Sequence, residues 1–100
     1  MNKIYQQSID MLKKIILHDI KNIHVEIILF GSRARGDYNK TSDIDIAFNF
    51  KKEQDKKKLT ILRDKVEDLN IPYKIDLVDM GKVSQQMQEL IYKDGIIWKK

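Results

Sequence analysis

The sequence predicts a small mixed α/β (α+β) domain, in which helices pack on a sheet of three or four strands. Two segments have apolar residues at spacings of three and four, which is the period of an amphipathic helix. Short segments rich in Ile, Val and Phe alternate with these helices and are typical of strands. The 100 residues are 42% hydrophobic, enough for one core, so we expect residues 1–100 to form a single domain.

The first half of the chain is predicted to contain one long helix and two strands. Apolar residues recur three and four apart over residues 4–20, which predicts an amphipathic helix. Residues 25–30, VEIILF, are nearly all apolar, as expected for a strand covered on both faces. After Gly31, the RARG segment begins a short turn or helix, and residues 39–42 have turn chemistry. Residues 43–50, DIDIAFNF, alternate between polar and apolar, which indicates a half-buried strand.

The second half is predicted to repeat the alternation of helix and strand. An amphipathic helix is expected over residues 54–69, followed by a strand over residues 73–80. Ser84 is a suitable N-cap for a helix that runs through Tyr92, and residues 96–98 are expected to form a short last strand.

Composition excludes several classes of protein. The chain has no cysteine, hence no disulfide framework and no thiolate site. No apolar run approaches the roughly 20 residues that span a bilayer, and the N-terminus lacks the apolar core of a signal peptide. We therefore expect a cytoplasmic protein with no membrane partner.

The net charge of +4 comes mostly from a lysine cluster at residues 51–58, interrupted by Glu53 and Asp55. Such a cluster could bind nucleic acid, but its mixed sign is more typical of a solvated helix face. Direct nucleic-acid binding is therefore not expected.

Two carboxylates stand at alternate positions of the second strand. Asp43 and Asp45 share one face, because successive side chains of a strand point to opposite sides. Two like charges so placed repel each other unless a cation neutralises them, and Mg²⁺ is held by one or two carboxylates together with substrate phosphates. Taken alone, the pair is more typical of an edge strand that has a solvated acidic face.

A turn with phosphate-binding character precedes these acids. Gly31 lets the backbone approach a ligand closely, and Ser32 supplies a hydroxyl directly after the buried first strand. Arg33 and Arg35 carry guanidinium groups suited to phosphate oxygens. The alternative is an ordinary turn with two surface arginines.

A third acid lies in the third strand. Asp76 is flanked by apolar residues, where burial without a partner is costly. Asp76 and Asp79 lie on opposite faces, so only one can join Asp43 and Asp45; we expect Asp76 to do so and Asp79 to end the strand. Three carboxylates beside a Gly-Ser turn fit metal-assisted phosphoryl chemistry, with Asp43, Asp45 and Asp76 holding two Mg²⁺ ions and Asp76 able to accept a proton.

The spacing of these residues resembles a known signature. Gly31-Ser32, ten further residues and Asp43-Ile44-Asp45 resemble the GS-x10-DxD pattern of the DNA polymerase beta-like nucleotidyltransferase superfamily. The string GSRARGDYNKTSDIDIAF and the later IDLVD are similar to minimal nucleotidyltransferases, the MNT family. The resemblance covers nearly the whole chain and implies a polymerase beta palm-like fold.

The resemblance also implies a partner and a reaction. MNT proteins act with a separate helical protein, either of HEPN type or a substrate-binding protein. In HEPN/MNT toxin–antitoxin pairs, the MNT member resembles an antitoxin that can transfer AMP from ATP to its partner. The resemblance does not exclude another nucleoside triphosphate as the donor of its own nucleotide. The alternatives are a catalytic subunit acting on a small acceptor and a non-catalytic module that sequesters its partner. A homodimer and a hetero-oligomer both remain open.

Overall fold

The computed structural model describes residues 3–100, which contain four helices and four strands. The helices are Lys3–Asp19 (α1), Ser32–Arg35 (α2), Lys57–Glu67 (α3) and Gln85–Asp94 (α4). The strands are Val25–Phe30 (β1), Ile44–Phe50 (β2), Ile75–Asp79 (β3) and Ile96–Lys99 (β4). This confirms the predicted mixed α/β class.

The observed boundaries differ slightly from the predicted ones. The helix expected from residue 54 begins with a 3-10 turn, Glu53–Lys56, and becomes α-helical at Lys57. Asp43 directly precedes β2 and is not its first residue, and β3 is shorter than the predicted 73–80. Boundaries depend on hydrogen bonds to neighbouring strands, which a pattern of side chains does not encode.

The four strands form one sheet in the order β3-β2-β1-β4. β1 is antiparallel to both β2 and β4, whereas β2 and β3 are parallel. One face is covered by α1 and α3 over a continuous apolar core that includes Ile27, Ile46 and Phe48. The other face has a smaller cluster around Ile28 and Ile91, where α4 packs, so part of this face remains open.

The topology brings three chain segments to one end of the sheet. Because β1 and β2 are antiparallel, the end of β1 lies beside the start of β2, with Phe30 opposite Asp45. Because β2 and β3 are parallel, their starts also coincide, and Asp45 lies opposite Asp76. The turn that follows β1 therefore lies next to the acids of β2 and β3.

Helix α4 crosses the open face and ends near the same turn. The Ser84 hydroxyl accepts a hydrogen bond from the Met87 N–H at 3.1 Å, which confirms the predicted N-cap. After α4, Gly95 lies so close to β1 that a Cβ would contact Ile28 and the Ile91 carbonyl. None of the helices in residues 3–100 has the length and hydropathy that crossing a membrane requires.

Candidate active site

The predicted carboxylates converge on the open face of the sheet. Asp45 and Asp76 are direct neighbours on adjacent strands, and Asp43 lies two residues before Asp45. Burial raises the pKa of the Asp45 carboxyl, and the negative charges of Asp76 and Asp43 raise it further. Asp76 is exposed, so it avoids the burial cost expected for an acid flanked by apolar residues. Asp45 is therefore the acid on which both burial and charge repulsion act.

Gly31 makes room for the Asp45 carboxylate. Its φ of 76° is a left-handed conformation that side-chain-bearing residues rarely adopt. A Cβ at this position would lie 2.5 Å from Asp45 Oδ2. Only glycine lets the turn after β1 come this close to the acid on β2.

A cavity of about 350 Å³ opens between this turn and α4. Its lining includes Gly31, Ser32, Arg35 and Asp45, which are four of the predicted site residues. The Arg35 guanidinium is exposed and lies 3.3 Å from a carboxylate oxygen of Asp37. The positive charge of Lys74, and after it that of Arg35, partly offsets the rise in the pKa of Asp45. The cavity thus combines a hydroxyl, a cation and a carboxylate at the end of the sheet.

Arg33, the remaining predicted phosphate ligand, lies elsewhere. It is only 6% exposed, and its guanidinium carbon lies 4.4 Å from the ring centroids of Tyr5 and Tyr38 and 4.9 Å from that of Tyr73. It also donates hydrogen bonds to the backbone carbonyls of Lys40 and Ser42. These contacts hold the Arg33 guanidinium in the interior of the protein, and Arg33 is not among the residues that line the cavity. We assign Arg33 no role in binding phosphate.

Asp79 lies on the face opposite Asp76, as the odd separation along β3 predicts. It is 5% exposed and accepts a hydrogen bond from the Gly81 N–H at 2.9 Å. Its other oxygen lies 3.7 Å from the Lys56 ammonium. These contacts stabilise the turn that ends the strand, which leaves Asp76 as the β3 acid beside Asp45.

The donor set suits a hard cation. Within residues 3–100, no three His, Cys, Asp or Glu side chains are arranged so that they could hold a metal ion by themselves. Mg²⁺ commonly takes only one or two protein carboxylates and completes its shell with water and substrate phosphates. The repulsion between Asp45 and its two acidic neighbours is the kind that a bound cation relieves. Asp45 with one of its acidic neighbours therefore offers the one or two carboxylates that a hard divalent cation takes together with substrate phosphates.

One wall of the cavity is formed by α4, whose residues were not predicted to belong to the site. Met87, Leu90, Ile91 and Asp94 line it from α4. Their spacing is that of one helix face, and the apolar members of such a face are expected to pack in a core. The chain contains no local signal that separates a core position from a cavity position, since the difference depends on where α4 crosses the sheet.

Comparison with known proteins gives a consistent picture. A family model for polymerase beta nucleotidyltransferases matches residues 10–100. The chain is 31% identical over 68 residues to a Haemophilus influenzae protein named "Probable protein adenylyltransferase MntA". The match covers 68% of this chain and 60% of that protein, so the chain spans less than two thirds of this curated relative.

Solved structures share the architecture. A toxin–antitoxin crystal structure with AMP-PNP matches with a TM-score of 0.65 and 25% identity, covering 86% of this chain and 71% of that chain. A structure described as a minimal nucleotidyltransferase matches with a TM-score of 0.69 over 90% of this chain and 92% of that chain. The second pair is 21% identical and is evidence of a shared fold alone.

Proposed function

The chain belongs to the polymerase beta nucleotidyltransferase family, and from this premise we propose that it is a Mg²⁺-dependent enzyme that transfers AMP from ATP to an acceptor. The main support is the placement of Asp45 opposite Asp76 and against Gly31. Two carboxylates suited to binding a cation thus lie beside a turn suited to binding phosphate, which supports the proposal. ATP is the proposed donor because the related toxin–antitoxin structure contains AMP-PNP and the related MntA protein is named an adenylyltransferase.

The proposed reaction is an in-line displacement at the α-phosphorus. An acceptor hydroxyl oxygen forms a bond to this phosphorus while the bond to the bridging oxygen breaks, and pyrophosphate leaves with the electron pair. Asp76 accepts the hydroxyl proton. The Ser32 hydroxyl and the Arg35 guanidinium hold the phosphates.

Asp43 and Asp45 are proposed to hold two Mg²⁺ ions, with Asp76 contributing to one of them. Bound Mg²⁺ supplies neutralisation of the charge that accumulates on the phosphates. The protein does little covalent work in this scheme, since its residues position the triphosphate and remove the acceptor proton.

A helical protein of HEPN type is proposed as the partner, with this chain as the antitoxin of a cytoplasmic pair. The support is the similarity to MntA and to a toxin–antitoxin structure. The alternatives are a catalytic subunit that serves a separate substrate-binding protein and a module that sequesters its partner without catalysis.

The test is transfer of label from α-³²P-ATP to the partner in the presence of Mg²⁺. Asp43→Asn and Asp45→Asn are each expected to lower transfer by at least about 100-fold, because the isosteric amide removes the charge that binds the cation. Circular dichroism verifies that the variants fold. Asp64→Asn, an exposed acid on α3, is the matched control and is expected to retain full activity.

The same variants separate the alternatives. Normal transfer by Asp45→Asn would contradict the proposed enzyme. Neutralisation of the partner that persists in Asp43→Asn, with no label transferred, would favour the sequestering module. Labelling of a small acceptor and not of the partner protein would favour the catalytic subunit.

A further inference from the structure

The α4 wall of the cavity differs in chemistry from the opposite wall. Four residues of α4 form this wall: Met87, Leu90, Ile91 and Asp94. The last three lie three, four and seven residues after Met87, so all four share one face of the helix. The opposite wall carries the polar and charged side chains Ser32, Arg35 and Asp45, next to Phe30. A ligand that fills this cavity therefore meets an apolar surface on one side and a phosphate-binding composition on the other.

Two residues of the α4 wall remain open to solvent. Ile91 is 1% exposed and packs with Ile28 in the small core under the helix. Met87 and Leu90, in contrast, are 42% and 52% exposed. These two apolar side chains line a cavity without being covered by the described part of the chain, so a ligand could bury them.

We propose that Met87 and Leu90 form a nucleoside subsite, which holds the base and sugar of the nucleotide while its phosphates lie toward Ser32 and Arg35. This inference rests on the proposed function. A nucleotide has an anionic end and a flat, largely apolar end, which matches the two walls. The methionine thioether and the leucine methyl groups both make favourable contact with a planar aromatic base.

Charge favours the same orientation. Asp94 places a carboxylate on the α4 wall, which repels phosphate there, whereas the Arg35 cation lies on the other wall. Asp45, the acid on the Arg35 side, is the one proposed to be neutralised by Mg²⁺. The triphosphate is therefore held away from α4.

The experiment compares two ligands that differ only in the nucleoside. Dissociation constants for ATP and for inorganic tripolyphosphate are measured by calorimetry with Mg²⁺ on the full chain. Leu90→Ala is expected to weaken ATP binding about 5- to 10-fold, because it removes contact area from the nucleoside. Tripolyphosphate binding is expected to stay within about twofold of the wild type, since this ligand does not reach the subsite.

Three further variants make the result specific. Met87→Ala is expected to have the same selective effect as Leu90→Ala. Ser32→Ala is expected to weaken ATP and tripolyphosphate alike, because it acts on the phosphate end. Ile61→Ala is the control: it removes an apolar side chain, 47% exposed, from α3, which packs on the other face of the sheet. It is expected to change the dissociation constant of neither ATP nor tripolyphosphate.

The outcomes distinguish the subsite from the proposed function. ATP binding that is unchanged in both Leu90→Ala and Met87→Ala overturns the subsite and leaves the proposed function standing. Equal weakening of both ligands by the α4 variants also overturns it. If the wild type binds neither ligand, the proposed function fails together with the subsite.

Discussion

At the scale of single residues, Asp45 connects the fold to the proposed chemistry. It is half-buried and lies opposite Asp76 on the neighbouring strand. It also lies against Gly31, where any side chain would collide with its carboxylate. Burial and the neighbouring acids raise the pKa of its carboxyl, so its ionised form opposes folding. A site that holds a cation commonly carries such a cost in stability.

Asp45→Asn is therefore expected to stabilise the fold at neutral pH and to raise the Tm slightly, because solvent partly screens a carboxyl that is only half-buried. The pKa of the Asp45 carboxyl is higher in the folded protein than in the unfolded chain. The free energy of unfolding therefore falls as the pH rises from the unfolded-state pKa to the folded-state pKa. Below the unfolded-state pKa, the carboxyl is protonated in both states and has no such effect. Thermal unfolding of the wild type and the variant should therefore coincide below the ordinary pKa of 3.8 and separate above it.

Added Mg²⁺ extends this test. It is expected to raise the Tm of the wild type and to reduce its deficit relative to Asp45→Asn, because the cation relieves the repulsion. Asp64→Asn is the control and should behave as the wild type does. A wild type more stable than Asp45→Asn at neutral pH in the absence of Mg²⁺ would contradict this account.

At the scale of elements, Arg33 joins segments that are distant in the sequence. The rings around it belong to α1, to the loop between α2 and β2, and to the segment before β3. Its hydrogen bonds reach the carbonyl of Ser42, which directly precedes Asp43. The loop that carries Asp43 to the site is thus attached to the fold through a buried cation.

Arg33→Met is expected to lower the free energy of unfolding by about 2–3 kcal/mol, because it removes a buried, hydrogen-bonded cation and leaves two carbonyls without their donor. Urea unfolding measures the change. Tyr38→Phe keeps the ring over the guanidinium and is expected to stay within about 0.5 kcal/mol of the wild type. Wild-type stability of Arg33→Met together with weakened tripolyphosphate binding would instead indicate a phosphate ligand.

At the scale of the whole molecule, the lysine cluster and the acids of the proposed site lie at opposite ends of β2. The lysine cluster follows the end of β2, whereas the site acids lie at its start. With about 3.3 Å per residue, the two ends of β2 are roughly 20 Å apart, beyond the Debye length of about 8 Å at physiological salt. Within the cluster, the Lys56 ammonium forms ion pairs with the carboxylates of Glu53 and Asp79.

Replacing the exposed Lys51, Lys52 and Lys57 with Gln is expected to leave the rate of nucleotide transfer within about twofold of the wild type, because salt screens their charge from the site. The rate is measured at physiological ionic strength, with Asp45→Asn as the inactive reference. A larger loss, together with RNA binding by the wild type that the variant lacks, would support the nucleic-acid interpretation of the cluster.

The sequence by itself predicted the succession of elements, because their apolar periods are regular and their ends are marked by residues such as Ser84. Side-chain alternation along the strand predicted that only one of Asp76 and Asp79 could face Asp45. The apolar neighbours of Asp76 then selected it, and the register of β2 and β3 places it opposite Asp45. The Gly-Ser turn and the acids Asp43 and Asp45 were likewise identified from spacing.

The tertiary structure decided which of these side chains meet. Arg33 and Arg35 are two residues apart in the same short helix, yet one lies among three tyrosine rings and the other lines the cavity. Met87 and Leu90 have the spacing of core residues, but the crossing of α4 over the open face leaves them exposed. These differences depend on strand order and helix crossing, which arise from contacts between distant segments and are not encoded in any local pattern.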